Sequence, residues 1–230
     1  MSAEVIFMEL VRVDTQRAYE MIREKITSLE LAPGLPLNEQ HLAQDLGMGM
    51  VPVREALKLL AHDNLVVITP RHGLYVADVN VPDLEQISEM RLSLESLCAR
   101  LAAERATPDD LAVLEALRQE QTNITPEEGA ADLSELSRRL FDLDHKFHQA
   151  IARAAHNKYL AQTLEHFFGL SQRLWYLALP HLGFLPASVG KHLDLVEAIQ
   201  AGDGDRAEQI MRSHVQDFYN KVREVLATNE

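Results

Sequence analysis

The 230-residue chain is 47% hydrophobic and 25% charged, enough apolar residue for one large core or two ordinary ones, and this excludes a disordered chain. Its formal charge of −13 excludes a generic nucleic-acid coating protein, because such proteins bind through cations that displace counter-ions from phosphates. Residues 1–78 carry seven Lys/Arg against eleven Asp/Glu and the remainder fifteen against twenty-four, so any nucleic-acid contact rests on where a few cations sit.

The opening MSAEVIFMELVRVD lacks the basic start and small-residue cleavage site of a signal peptide, and no apolar run approaches the roughly 18 residues that span a bilayer, so the chain reads as cytoplasmic, without a membrane partner. Ala18, Met21, Ile22, Ile26 and Leu29 fall on one face of a helix over residues 15–31, which Pro33 and Gly34 stop. Pro36 prolongs the break, and Asn38 caps a short second helix through Leu46, ended by Gly47. Pro52 suits the first turn of a third helix of about ten residues, with Val53, Ala56, Leu57 and Leu60 on one side. The runs LVVIT and LYVAD around Pro70 to Gly73 read as a two-stranded hairpin. A domain boundary follows near residues 78–81, giving domains 1–78 and 79–230. Beyond it only amphipathic helical segments are predicted, at about 82–105, 108–122, 132–155, 158–178, 188–201 and 205–227. Pro180 and Pro186 bracket a loop that is expected to order part of itself as a lid. Cys98, the single cysteine, excludes an internal disulfide and reads as a core thiol in the stripe SLESLCARLAAE. The fold class is therefore mainly α.

Three short helices and a hairpin within about 65 residues is the layout of a winged helix-turn-helix, whose third helix enters the major groove. The segment LAPGLPLNEQHLAQDLGMGMVPVREALKLLAHDNLVVITPRHGLYV closely resembles the GntR family signature of a Pro-Gly turn, an LAxxLG helix, a PVREAL recognition helix and a PxxG wing. The resemblance implies a base or phosphate contact for Arg54 and places Arg71, His72 and Gly73 where a wing approaches DNA. A plainer reading of Arg54 is a surface salt bridge with Glu55 or neighbours of Lys58, and of His72 an exposed loop residue. The usual Ser-Arg-Thr ahead of Pro-Val-Arg is here Gly49-Met50-Val51, so one cation and two hydroxyls are missing. Met50 and Val51 then offer only apolar contact, and a different operator or weaker binding is expected.

In FDLDHKFHQAIARAAHN, Asp144 and His148 are four apart and share a helix face, a spacing that is weak by itself. His192 and His214 lie in apolar helical patterns where a packed core histidine is the plainer reading. The order Asp-x-x-x-His, a His near the start of the penultimate helix and a His in the last helix resembles the FCD ligand-binding domain of the FadR branch of the GntR family, with His156 in place of the usual Ala or Gly. That resemblance implies an antiparallel helical bundle whose Asp144, His148, His192 and His214 hold a divalent ion such as Zn, Ni or Mn, with positions open for a ligand. It also implies a small carboxylate effector, for which Arg91 is suited, the alternative for Arg91 being an i,i+4 pair with Glu95 on a solvated face. Arg173, Trp175 and Tyr176 read as helix packing before pocket lining, His145 points about 100° away from Asp144, and His166 and His181 receive no role.

The resemblance implies a homodimeric, ligand-responsive regulator of operator DNA, most simply a repressor released by its ligand. A metal-dependent enzyme on a small carboxylate derivative is the competing class, since such a site also activates water, but no general base stands at a fixed spacing and a DNA-binding domain suits a hydrolase poorly. A purely structural metal is a third reading.

Overall fold

A computed structural model describes residues 3–79, 81–124, 133–182 and 186–227. The chain divides into two compact units, residues 1–80 and 81–230. In the first, α1 (Ala3–Thr27), α2 (Glu39–Asp45) and α3 (Met50–His62) combine with three short strands, β1 (Pro36–Leu37), β2 (Val66–Thr69) and β3 (Gly73–Val76). Ala18, Ile22 and Ile26 of α1 interlock with Val53, Ala56, Leu57 and Leu60 of α3, and all seven are buried. Most of the stripes read from the sequence thus form this core, while Met21 is half-buried and Leu29, also half-buried, lies beyond the end of α1. Asn38 caps α2 through Oδ1, which accepts from the N–H groups of Gln40 and His41 at 2.9 and 3.0 Å. Gly47, at φ +63, closes α2: the N–H of Met48 reaches the carbonyl of Ala43 and that of Gly47 the carbonyl of Gln44.

Three details differ from the sequence reading. Helix α1 begins at Ala3 because nothing between there and Thr15 breaks a helix, and it ends at Thr27 because Leu29 turns to φ +64. Helix α3 begins at Met50, so Met50 and Val51 belong to its first turn. The hairpin has a third strand, β1, antiparallel to β3 with Pro36 opposite Tyr75 and Leu37 opposite Leu74. Pro36 is tolerated there because β1 lies at the sheet edge and needs to donate on one side only.

The second unit is all-helical among the described residues: α4 (Val81–Arg105), α5 (Pro108–Thr122), α6 (Leu133–Ala154), α7 (Lys158–Leu182), α8 (Pro186–Gln200) and α9 (Gly204–Ala227). Thr107 and Asp110 form a reciprocal capping box at the start of α5, Asn157 caps α7 and Asp203 caps α9. Helix α4 runs along α9 and also meets α6, α7 and α8, so it is the central helix of this bundle. Gly204 permits the close approach of α9, since a Cβ there would stand 3.2 Å from Cγ of Arg100. Helix α7 continues through Pro180 to Leu182 where a loop is expected, a position so near the helix end that few backbone bonds are at stake. The rest of the expected lid, residues 183–185, and most of the 124–130 loop lie outside the described residues. No helix among the described residues is long and apolar enough to cross a membrane.

Candidate metal centre and DNA-reading face

Asp144 and His148 project from one face of α6, His192 joins them from α8 and His214 from α9. Four ligand atoms, one from each residue, lie within 4.8 Å of one another. Nε2 of His148 is 3.0 Å from Nε2 of His214, which is 3.3 Å from Nε2 of His192, while Asp144 Oδ1 is 3.2 Å from His192 Nε2 and Oδ2 is 3.7 Å from His148 Nε2. Ligand atoms about 2.1 Å from a common ion stand roughly 3.0–3.4 Å apart as octahedral or tetrahedral neighbours, so the three shorter separations match ligands of one divalent ion, while Asp144 Oδ2 stands wider from His148. Without an ion three imidazole nitrogens would crowd one carboxylate, with at most one proton shared along each contact. The three histidines are buried, and Asp144 keeps 23% side-chain exposure.

The far sides of two rings are held. Nδ1 of His148 meets Glu95 Oε2 from α4, and Nδ1 of His192 lies 2.7 Å from Gln121 Oε1 at the end of α5. With an ion bound, a proton on each Nδ1 would leave the Nε2 lone pair free to face it; without one, the Nε2 atoms turn to Asp144. Burial opposes ionisation of Asp144, but the charge of His148 and the hydrogen bond from His192 outweigh it and hold the carboxyl well below the usual range. Burial likewise opposes charge on His148, yet Glu95 and Asp144 overcome it and raise its pKa. Burial lowers His192, and burial with two neighbouring imidazoles lowers His214 well below the ordinary value, so both are neutral ligands near pH 7.

Arg91 is not on a solvated face. It is buried beside Glu95, with NH2 2.7 Å from Oε1, and its NH1 donates to Ser171 Oγ at 3.2 Å and Tyr219 Oη at 3.1 Å. The expected i,i+4 pair therefore exists, but in the bundle interior, where α7 and α9 close over α4. Trp175 is edge-on to Phe141 and Phe218 in an aromatic cluster, Arg173 is buried, and Tyr176 donates to Asp142 at 2.8 Å. His145 turns away from the centre and stacks on Phe168, His166 packs against the ring of Phe167, and the side chain of His181 lies outside the described residues. Cys98 is buried, and burial with the charge of Glu95 pushes its thiol up to about 12.

In the first unit a cleft between α3 and the β2–β3 hairpin is lined by Glu39, Arg54, Lys58, Ile68, Arg71 and Gly73. Arg71 and His72 are exposed in the turn, Arg71 at φ +66, and Tyr75 Oη donates to the His72 carbonyl at 2.9 Å. Met50 and Val51 are exposed at 41% and 57%, which leaves an apolar tip on α3. Arg54 pairs with neither Glu55 nor a neighbour of Lys58. Its Nε and NH2 reach Glu39 Oε2 at 3.0 and 2.8 Å, while Lys58 pairs with Glu55 at 2.7 Å.

Residues 14–76 match the family described as bacterial regulatory proteins, gntR family, and residues 86–217 match the FCD domain. This chain is a GntR-family transcription regulator with an FCD domain. It is 29% identical over 214 residues to the HTH-type transcriptional repressor RspR of Escherichia coli K12, covering 93% of this chain and 91% of that one. It is 30% identical over 219 residues to an HTH-type transcriptional regulator in an unstable DNA locus of Streptomyces ambofaciens, covering 94% and 88%. The solved structure of E. coli McbR/YncC shares the fold at TM-score 0.77 and 22% identity over 92% of this chain and 97% of that one. These relatives are transcription regulators and not enzymes, so the catalytic alternative falls. Three residues that touch this GntR regulator's candidate sites, Glu39, Glu95 and Gln121, are not singled out for a site by the sequence. Only Glu95 carried a signal, since it lies one turn beyond Arg91 on the stripe that holds Cys98, Ala99 and Ala102.

Proposed function

We propose that this regulator is a cytoplasmic homodimer that represses operator DNA and is released when a small carboxylate reaches a metal centre in its FCD domain. The convergence of Asp144, His148, His192 and His214 is the observation that carries this reading. These four residues would hold a Zn, Ni or Mn ion, which when bound supplies a Lewis-acidic anchor for a carboxylate oxygen. Charge supports an anion. Arg91 is balanced by Glu95, so a divalent ion with Asp144 and three neutral imidazoles leaves one positive charge. Asp144 contributes the carboxylate ligand and the open side of the site, being the one member not fully enclosed. Residues 1–78 would carry the DNA contacts and residues 79–230 the metal, effector and dimer contacts. Met50, Val51 and Arg54 would enter the major groove, with Arg71, His72 and Gly73 following the backbone.

Dimerisation is supported by α4, where exposed Met90 and Leu97 alternate with half-buried Ile87, Leu94 and Leu101 at the three-and-four spacing of a helix-pairing seam. A thermal-shift screen tests the sensor. Zinc should raise the melting temperature of chelator-treated protein, and one or more small carboxylic acids should raise it further only when zinc is present. The stabilising acid should also weaken the gel shift of DNA from upstream of the gene. Stabilisation by zinc without a further shift from any acid would reduce the metal to a structural role and sink the effector.

A further inference from the structure

Arg91 and Glu95 are 3% and 2% exposed, and a buried ion pair is retained at a desolvation cost that a pair of apolar side chains would avoid. Their contacts show what the pair holds. Glu95 places Oε1 in an ion pair with Arg91 NH2 and Oε2 against Nδ1 of His148, so each oxygen faces one nitrogen partner. The guanidinium is enclosed as well: its central carbon lies 4.0 Å from the Phe168 ring centre and 4.2 Å from that of Trp175, and its NH1 is taken by Ser171 and Tyr219. Nε alone lacks a hydrogen-bond partner, and it is buried, so a carboxylate pairing with two guanidinium nitrogens would have to compete with Glu95, Ser171 or Tyr219.

We propose that Glu95 is a positioning residue of the metal centre, orienting the His148 ring, and that Arg91 acts by holding Glu95 and not by binding the effector. The inference rests on the metal reading above. A carboxylate that accepts from Nδ1–H fixes the tautomer, turns the Nε2 lone pair toward Asp144, His192 and His214, and makes that nitrogen a stronger donor to a cation. His192 offers an internal comparison, since its Nδ1 faces the neutral Gln121 at 2.7 Å. The charged partner should therefore matter more than the neutral one. Because Ser171 and Phe168 belong to α7 and Tyr219 to α9, the arginine also ties the orientation of His148 to the packing of those helices.

The test is competition of the full-length protein with a chromophoric chelator for zinc, comparing the parent with Glu95→Gln and Gln121→Ala. Glu95→Gln should weaken zinc binding about ten- to a hundredfold, with a smaller loss for Gln121→Ala. A folded Glu95→Gln protein that binds zinc within twofold of the parent overturns the proposal while leaving the metal reading intact. A parent that takes up no zinc overturns both. Should Glu95→Gln fail to fold, ring-nitrogen NMR of the zinc-loaded parent decides: Nδ1 protonated and Nε2 coordinated on His148 is expected, and Nδ1 coordinated or unprotonated overturns the proposal.

Discussion

Replacing Thr107 with Ala should cost about 1 kcal/mol of stability at pH 7, because Thr107 closes a capping box and its side chain is the first-turn acceptor of α5. Asp110 accepts from the Thr107 hydroxyl at 2.6 Å and its backbone N–H at 2.9 Å and faces His156 at 2.9 Å, and these bonds, that of the Thr107 hydroxyl foremost, hold its carboxyl below the usual range. A depressed carboxyl contributes stability that is fully present above the ordinary Asp range and is lost as pH falls through the folded value. The Thr107→Ala penalty, measured by urea unfolding, should therefore shrink below about pH 4, and a penalty constant from pH 7 to pH 3 would refute this linkage. Thr107-Pro108-Asp109-Asp110 was legible as a helix start because capping is local chemistry. Arg91 was not, because i,i+4 spacing says that Arg91 and Glu95 touch but not whether another helix covers them. The rings over it come from Phe168 and Trp175, some eighty residues along the chain.

Elements were legible wherever an apolar stripe and a stop signal coincide, as at α2 between Asn38 and Gly47. Strand β1 was hidden because two residues containing Pro36 have no periodicity, and the pairing partner Leu74–Tyr75 is distant in sequence. A start read from Pro52 falls two residues late, because a proline fits anywhere in a first turn and marks no single position in it. That shift has a consequence for the DNA-reading helix. Met50 and Arg54 lie one turn apart on α3, and the guanidinium of Arg54 is shared with Glu39 of α2. The first turn of α3 thus presents no cation free of an acidic partner. Met50→Arg should tighten binding to upstream DNA and steepen its salt dependence by about one unit of the log–log slope, read by fluorescence polarisation between low and moderate salt. Unchanged affinity and slope would show that the missing cation is not what sets this regulator's grip on DNA.

At the scale of the molecule, the two units were legible in the sequence because strand signals stop before residue 80 and only helix-period patterns follow. A surface for pairing two copies was not, since a seam between copies and a core face read alike in one sequence. In α4 the structure separates a buried face from a partly exposed one. Leu84, Arg91, Glu95, Cys98 and Ala102 form the face buried within the bundle, while Ile87, Met90, Leu94, Leu97 and Leu101 form a second stripe about 100° around the helix, of which Met90 and Leu97 are 44% and 42% exposed. A central helix that is apolar on two faces suits a bundle that pairs through the second one. If that stripe joins two copies, glutamates at Met90 and Leu97 place charge in the seam and leave the bundle core untouched. The double variant should then sediment as a 25.9 kDa species where the parent sediments at twice that mass, with unchanged helical circular dichroism and weakened binding to a two-half-site operator. A double variant that sediments with the parent places the dimer contact elsewhere, and a parent that is itself monomeric removes the two-copy docking on which the proposed repression depends.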